Sequence, residues 1–372
     1  MPSDVVVVGA GVVGAACADA LTEAGLSVAV LESQFAGGGA TAAAMGHLVV
    51  MDDSEAQFAL TRLSRGLWEE LAPSMPRACE DERTGTLWVA ADDAEMEHVR
   101  RKAAFYGSRG VEVEELDGGA LARAEPNLRP GLAGALRVVG DRVVYPVNAA
   151  RWLLGRAVAR GARLFEGENV TVLGPGRVAT SRGNFGAGAV VNAAGAAAPF
   201  LTPGLPIAPR KGHLVITDRY PGFCRHQLVE LGYLASAHSP LPESVAFNLQ
   251  PRATGQMLLG SSREFVGFDA SVNRRIRDRM IRRALEFMPG LAGLSAIRTW
   301  TGFRPATPDN LPLIGPWGEK PGLYVAAGHE GLGITTALGT ARLVADAILG
   351  RQSPIDSEPY SPMRAFPAAA HA

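Results

Sequence analysis

Three glycines and one carboxylate near the start of the chain have a spacing suited to phosphate and ribose chemistry. Gly9, Gly11 and Gly14 fall within Gly9-Ala10-Gly11-Val12-Val13-Gly14, and Glu32 follows Gly14 by 18 positions. Gly9 permits a tight turn and Gly11 lets backbone N–H groups approach a pyrophosphate. Gly14 lets a helix lie close to a strand. The helix start at Val12 and Val13 adds unpaired N–H groups and the positive end of its dipole. Glu32, followed by Ser33, can accept from ribose hydroxyls, which implies a free 2′-hydroxyl and argues against a 2′-phosphorylated dinucleotide.

The elements that must hold these groups are readable around them. Ser3–Val8 is an apolar run of strand length, 15–24 is an alanine-rich helix ended by Gly25, and 27–31 is a second strand. That order makes a β-α-β unit with the glycines in its first turn. Gly37-Gly38-Gly39 then leads into a helix start over 41–45, including Thr41, Ala42 and Met45 before Gly46. A glycine loop opening a helix makes a second surface for phosphate. His47 and Leu48 begin a short strand over 47–50, which brings His47 near the place of a cofactor ring. A lone histidine is more often a hydrogen-bonded structural residue, so its chemistry stays open.

Further along, helices are expected over 56–71, 94–109 and 117–124, with strands over 86–90 and 111–116. Strands over 132–138 and 141–145 flank a Gly140-Asp141 turn and read as a pair. Pro146 starts a helix to 160. Strands follow over 163–166 and 169–173, with a hairpin over 177–180 and 184–187. An apolar strand from Gly188 then enters the small turn Ala193-Ala194-Gly195, where a flat ligand can approach the backbone. Strands over 206–217, 227–234, 244–250 and 256–263 have long, proline-bearing connections and imply an antiparallel sheet. Asn248 and Gln250 share one face of the third, which is either a polar pocket or a solvated surface. The arginine-rich helix over 271–288 reads as a solvated face, or as a docking surface for a redox partner. The stretch 299–304 follows, then a tight loop over 305–315, and a buried strand over 323–327 and a helix to 349 complete the pattern. The tail from 352 reads as irregular.

Bulk composition narrows the function classes. The chain has 372 residues, enough for two domains, with 47% hydrophobic and 20% charged residues as in ordinary globular proteins. A net charge of −1 gives no basis for nucleic-acid or anionic-membrane binding. The cysteines Cys17, Cys79 and Cys224 are scattered, so neither a zinc site nor a disulfide framework is indicated. Cys17 reads as core packing and a reducing compartment is the default. Val5 to Val8 lacks a basic leader and reads as a strand, not a signal peptide. No apolar run reaches the roughly 20 residues of a membrane helix. The expected location is the cytoplasm, with peripheral attachment only through partners. No internal repeat is visible.

With all elements placed, the chain resembles the D-amino-acid oxidase superfamily of FAD-dependent amine and imino-acid oxidoreductases. The likeness rests on four motifs in order: VVVVGAGVVGAACADALTEAG followed by Glu32, VVNAAG at 190–195, TGFRPATPDNLPLIG at 301–315, and LYVAAGHEGLGITTALGTARLVADAI from 323. ATAAAMGHLVVMDD and PRKGHLVITDRYPGF are similar to the catalytic subunits of bacterial opine, hydroxyproline and cyanide-forming glycine dehydrogenases. The resemblance implies an α/β chain with a Rossmann-like FAD-binding domain over 1–80, 146–205 and 300–372. A substrate domain built on an antiparallel sheet is implied over 81–145 and 206–299.

The resemblance also implies roles. Gly9, Gly11, Val12, Val13 and Gly14 would hold the diphosphate, and Glu32 and Ser33 the adenosine ribose. Thr41, Ala42, Met45, Gly46, His47 and Leu48 would run past it to the flavin. Val170 would meet adenine through its backbone, and Ala194 and Gly195 would form the turn beside the cofactor. Gly302 and Arg304 would lie at the ring, with Gly331, Leu332, Gly333, Ile334 and Thr335 facing the pyrimidine. Arg304 would grip a substrate carboxylate, because two parallel donors fit a planar acid. His47, Glu330 and Asn248 complete the implied catalytic set. Two positions depart from glycine-oxidase-like members: no tyrosine stands near Phe247-Asn248, and Glu330 replaces an arginine. No cysteine lies in the C-terminal loop, so non-covalent FAD is implied. The implied reaction is oxidation of a small amino or imino acid by hydride transfer to the flavin, with electrons passing to partner redox subunits in a hetero-oligomer. Oxidation of a 2-hydroxy acid, or a flavin-carrying subunit without its own substrate, remains open.

Overall fold

Ser3–Val8 lies in the middle of the first of two large sheets. The computed structural model describes residues 2–232, 243–318 and 322–366. The first sheet runs Leu313–Pro316, Leu323–Ala327, Asn184–Asn192, Ser3–Val8, Val28–Glu32, Arg163–Glu166. Along this path neighbours are parallel except the edge pair Leu313–Pro316 with Leu323–Ala327, and two further strands, Arg177–Thr180 and Val170–Gly174, branch antiparallel from Asn184–Asn192. Strands covered on both faces read as unbroken apolar runs, which is why Val5 to Val8 do not alternate. All four are buried.

Helix Val12–Glu23 packs against Pro146–Ala159 and Gly333–Leu349. Small side chains make this close packing possible: Ala15, Ala16, Cys17 and Ala18 are all buried in the shared core. Cys17 is thus the core residue expected. Asp19 is buried in the same helix and balanced by Arg156 at 3.0 Å and Arg160 at 2.6 Å. Asn184–Asn192 is one continuous strand: its first half pairs with Arg177–Thr180 and its second half enters the parallel sheet.

The second sheet runs Ala296–Ala306, Ala208–Thr217, Met257–Glu264, Glu243–Pro251, Gln227–Glu230, Thr86–Ala90, Gly134–Val138, Val113–Asp117. It is antiparallel apart from one pair, Gln227–Glu230 with Thr86–Ala90, which is parallel. The antiparallel sheet expected over 206–217, 227–234, 244–250 and 256–263 is present, since those four strands pair antiparallel with one another; the parallel pair joins Gln227–Glu230 to Thr86–Ala90. Those strands are far apart in the chain, so a long crossover rather than a turn joins them. The strand expected over 227–234 ends at Glu230, and positions 233–234 lie outside the described residues.

The pair expected around Gly140-Asp141 does not form. Gly134–Val138 joins the second sheet, whereas Arg142–Val143 pairs with His47–Leu48. Asp141 is buried at the crossing and faces Arg65 at 3.3 Å. The turn therefore passes the chain from one sheet to the loop beside the other.

The arginine-rich helix, Arg274–Phe287, turns Ile276, Met280, Ala284 and Phe287 inward. Its arginines are not simply solvated: Arg275 and Arg279 pair with Glu243, and Arg283 with Glu230, both on sheet strands. From 352 to 366 the tail is irregular apart from a short turn at Glu358–Tyr360, where buried Tyr360 donates to Ala56 O. Among the described residues no helix is long and apolar enough to cross a membrane.

Candidate active site

The glycine turn has the close geometry that its sequence requires. Gly9 has φ +104°, and a Cβ there would sit 2.6 Å from Ala193 O. A Cβ on Gly14 would sit 1.9 Å from Gly9 O, so only glycine lets the helix approach the turn. The first helical N–H, of Val12, donates to Thr41 Oγ1 at 3.0 Å. Glu32 ends the second strand with its carboxylate held by the N–H groups of Ala10 and Gln34, each at 2.8 Å.

A cavity of about 710 Å³ is walled by residues of both sheets. Of the expected cofactor residues, Gly9, Gly11, Val12, Val13, Glu32, Ser33, Thr41, Met45 and His47 line it. So do Val170, Ala194, Gly195, Gly302, Arg304, Gly331, Gly333 and Ile334. Six others do not reach its wall. Gly14 lies behind the turn, and Ala42 faces solvent. Gly46 is pressed against the Val144 backbone and donates to Gln250 Oε1 at 2.8 Å. Leu48 is in the core, Leu332 lines a neighbouring chamber, and Thr335 donates to His47 O at 2.8 Å. These residues shape the wall from behind.

The second sheet clamps the loop that carries His47. Besides the Gln250 contact, Trp300 Nε1 donates to Ala43 O at 3.3 Å. Asn248 and Gln250 therefore face the junction between the sheets. Both are buried, which rules out the solvated face. Their strand neighbours Phe247 and Leu249 point into the opposite core, as alternation demands.

Arg304 enters the cavity from Ala296–Ala306 and donates through Nη1 to Ser262 O at 2.9 Å. Beside it stands Glu330, held at φ +47°. Arg210 Nη1 lies 3.6 Å and Arg263 Nε 4.0 Å from Glu330 Oε1. Burial pushes the Glu330 carboxyl up, but Arg304, Arg263 and Arg210, with the Gly331 N–H, outweigh it and leave it below its ordinary value. Glu330 is thus a carboxylate ringed by three guanidinium groups. Arg210 and Arg263 were not singled out from the sequence. The only signal was the basic Pro209-Arg210-Lys211 stretch, and strand register decides which of its side chains faces the site.

His47 is kept neutral: burial pushes its pKa down to about 3. His329 is likewise pushed down to about 3 by burial, and its Nε2 meets Thr340 Oγ1 at 3.0 Å. A second chamber of about 70 Å³ adjoins the first and shares His47, Asn248, Glu330 and Gly331 with it. Arg263, Gln57, Gln227 and Asn310 also line it.

The residues present suit a dinucleotide carrying a flat polar ring. The glycine turn leaves a space that any Cβ would fill, at the positive end of a helix. Glu32 stands at the ribose position of that arrangement. His47 Nε2, Asn248 Oδ1 and Ser261 Oγ are buried without a hydrogen-bond partner among the described residues, and all three side chains line the cavity. Buried polar atoms require partners, and a ring edge rich in nitrogen and oxygen supplies them.

Comparison with known proteins agrees. A family model described as DAO, FAD dependent oxidoreductase, matches residues 4–347. The hydrogen cyanide synthase subunit HcnC of Pseudomonas aeruginosa is 30% identical over 417 residues, covering 98% of this chain and 96% of that one. The crystal structure of glycine oxidase from Geobacillus kaustophilus superposes with a TM-score of 0.89 at 29% identity, covering 98% of this chain and 99% of the other. L-proline dehydrogenase from P. horikoshii superposes with a TM-score of 0.88 at 25% identity, covering 97% of each chain. Motif, cavity and whole-chain likeness converge: this chain belongs to the DAO family and is an FAD-dependent oxidoreductase.

Proposed function

We propose that this enzyme oxidises a small amino or imino acid at the carbon bearing the nitrogen. The observation that carries the reading is Arg304, a guanidinium presented to the cofactor cavity from a sheet strand and held there by Ser262 O. Its remaining donors face a planar acid group. When bound, FAD would supply the oxidising power as a hydride acceptor, so that the free amine is left as an iminium cation, which gives the imine on loss of a proton. The chain's own residues bind and orient. Arg304 fixes the carboxylate and thereby the position of the α C–H. Asn248 and neutral His47 offer hydrogen bonds to the amine in its free-base form. Glu330 stabilises positive charge that develops on nitrogen.

The unit built on the first sheet holds the cofactor and the unit built on the second holds the substrate, which extends the second through Ala296–Ala306. FAD is bound without a covalent link through cysteine, since Cys17, Cys79 and Cys224 are buried and none lines the cavity. Electrons pass on to a partner protein. The exposed aromatic side chains Phe200 and Phe268, whose tilted rings meet with centroids 5.6 Å apart on the cavity wall, support a docked acceptor.

Anaerobic bleaching of the flavin tests the reading. Proline, hydroxyproline, sarcosine and D-amino acids should bleach it, and Arg304→Ala should raise the substrate concentration required on the order of 10²-fold. Bleaching by 2-hydroxy acids alone would overturn it.

A further inference from the structure

Beside the main cavity, Gln57 Oε1, Trp88 Nε1 and Gln227 Oε1 are buried and make no hydrogen bond among the described residues. Their residues line the smaller chamber and not the main one, so a ring bound in the main cavity does not account for them. Sheet register gathers two of them. Gln227 pairs with Thr86 and Val229 with Trp88, and Val229 pairs in turn with Asn248, so Trp88, Gln227 and Asn248 share one side of three adjacent strands. Gln57 reaches the same chamber from helix Glu55–Leu71.

The rest of that wall asks for little. Met51, Val229 and Leu332 are apolar. The charged groups have partners: Arg263 and Glu330 lie 4.0 Å apart, and Asp53 is partnered too. What is unmet is therefore neutral, two carbonyl oxygens and one indole N–H. Buried polar atoms require partners, and this set requires a group that both donates and accepts. A hydroxyl or a carboxamide does both. An ammonium only donates, a carboxylate only accepts, and a hydrocarbon does neither. At about 70 Å³ the chamber has room for the tip of a short side chain. It shares His47, Asn248, Glu330 and Gly331 with the main cavity, which places it next to a substrate held by Arg304.

We infer that the substrate's side chain is short and uncharged and ends in a hydroxyl or a carboxamide, bound in the smaller chamber by Gln57, Trp88 and Gln227 while Arg304 holds the carboxylate. This inference rests on the amino-acid reading and narrows it.

Matched pairs test it, run on the holoenzyme with both enantiomers of each compound and with anaerobic flavin reduction as the readout. Serine and α-aminobutyrate exchange a hydroxyl for a methyl group. Asparagine and leucine exchange a carboxamide for a branched hydrocarbon of similar size. Hydroxyproline and proline differ by a hydroxyl on the ring. In at least one pair the polar member should have the higher kcat/KM, by on the order of 10²-fold, and that pair shows which tip is bound. Trp88→Phe and Gln227→Met keep the bulk of each side chain and remove its polar atoms. Each should cut the ratio roughly 10-fold by lowering kcat/KM for the polar member, with an unchanged flavin spectrum showing that the site still assembles. If the apolar members match or exceed their partners in every pair, or if both variants leave the ratio intact, the inference is overturned while amine oxidation stands. If no compound in any pair reduces the flavin, the amino-acid reading fails and takes this inference with it.

Discussion

The Arg304 guanidinium lies against Gly212 on the neighbouring strand: a Cβ built on that glycine would fall 2.2 Å from Nη1. The two strands pair so that Gly212 faces Gly302 and Arg210 faces Arg304. The missing side chain at 212 is the space in which the guanidinium turns toward the cavity. Gly212→Ala should therefore displace Arg304 without removing it. We expect kcat/KM for carboxylate substrates to fall on the order of 10²-fold, the usual cost of a misplacement near 1 Å. Flavin content and melting temperature should stay near those of the parent. An unaltered kcat/KM would show that Arg304 is not positioned through this contact.

Glu32 gives a second expectation. Its carboxylate accepts from the Ala10 and Gln34 N–H groups, so it also braces the glycine turn. Glu32→Ala removes a charged acceptor, at about 1.5–3 kcal/mol. Titration of apoprotein with FAD should show affinity weaker by roughly 10- to 100-fold, with reduction of the bound flavin by substrate little changed. A loss of reduction rate at full occupancy would assign Glu32 a role beyond binding.

These two sites differ in how visible they were in the sequence. The glycine turn and Glu32 are local: a strand, three glycines and an acid within thirty residues dictate their own geometry. Arg304 stood in a motif, so its neighbourhood was known before its contacts. Arg210 and Arg263 were invisible because they sit on strands far apart in the chain, and only sheet register brings them to Glu330. Asp141 shows the same limit. Its Gly-Asp turn has the chemistry of a hairpin, yet the flanking strands join different sheets. Turn residues specify a reversal of direction, and long-range pairing chooses the partner.

His47 bears on the pH profile. Burial holds it neutral down to about pH 3, so it cannot supply a titration between pH 5 and 10. The reactive free-amine form of the substrate then governs the profile. We expect kcat/KM to rise with pH toward the pKa of the substrate amine. His47→Asn should lower kcat/KM by roughly 10-fold, as for one lost hydrogen bond, and leave the inflection where it was. An inflection near 6 to 7 that vanishes in the variant would show that His47 does ionise.

Asp141 makes folding stability depend on pH in a definite direction. Burial raises its carboxyl from the ordinary 3.8 to about 6, against the pull of Thr86 and Arg65. The native state therefore binds this proton more tightly than the unfolded chain does. Its stabilising effect is complete below about pH 4 and is lost as pH rises through about 6. The shift of roughly two pH units corresponds to about 3 kcal/mol. Asp141→Asn keeps the shape and hydrogen bonding of the protonated acid but cannot ionise. The melting temperature of the variant should match or fall below that of the parent at pH 4, because Arg65 loses part of its partner. It should gain on the parent as pH rises to 7.5. A difference between the two that stays flat across that range would mean that Asp141 keeps its ordinary pKa at the sheet crossing.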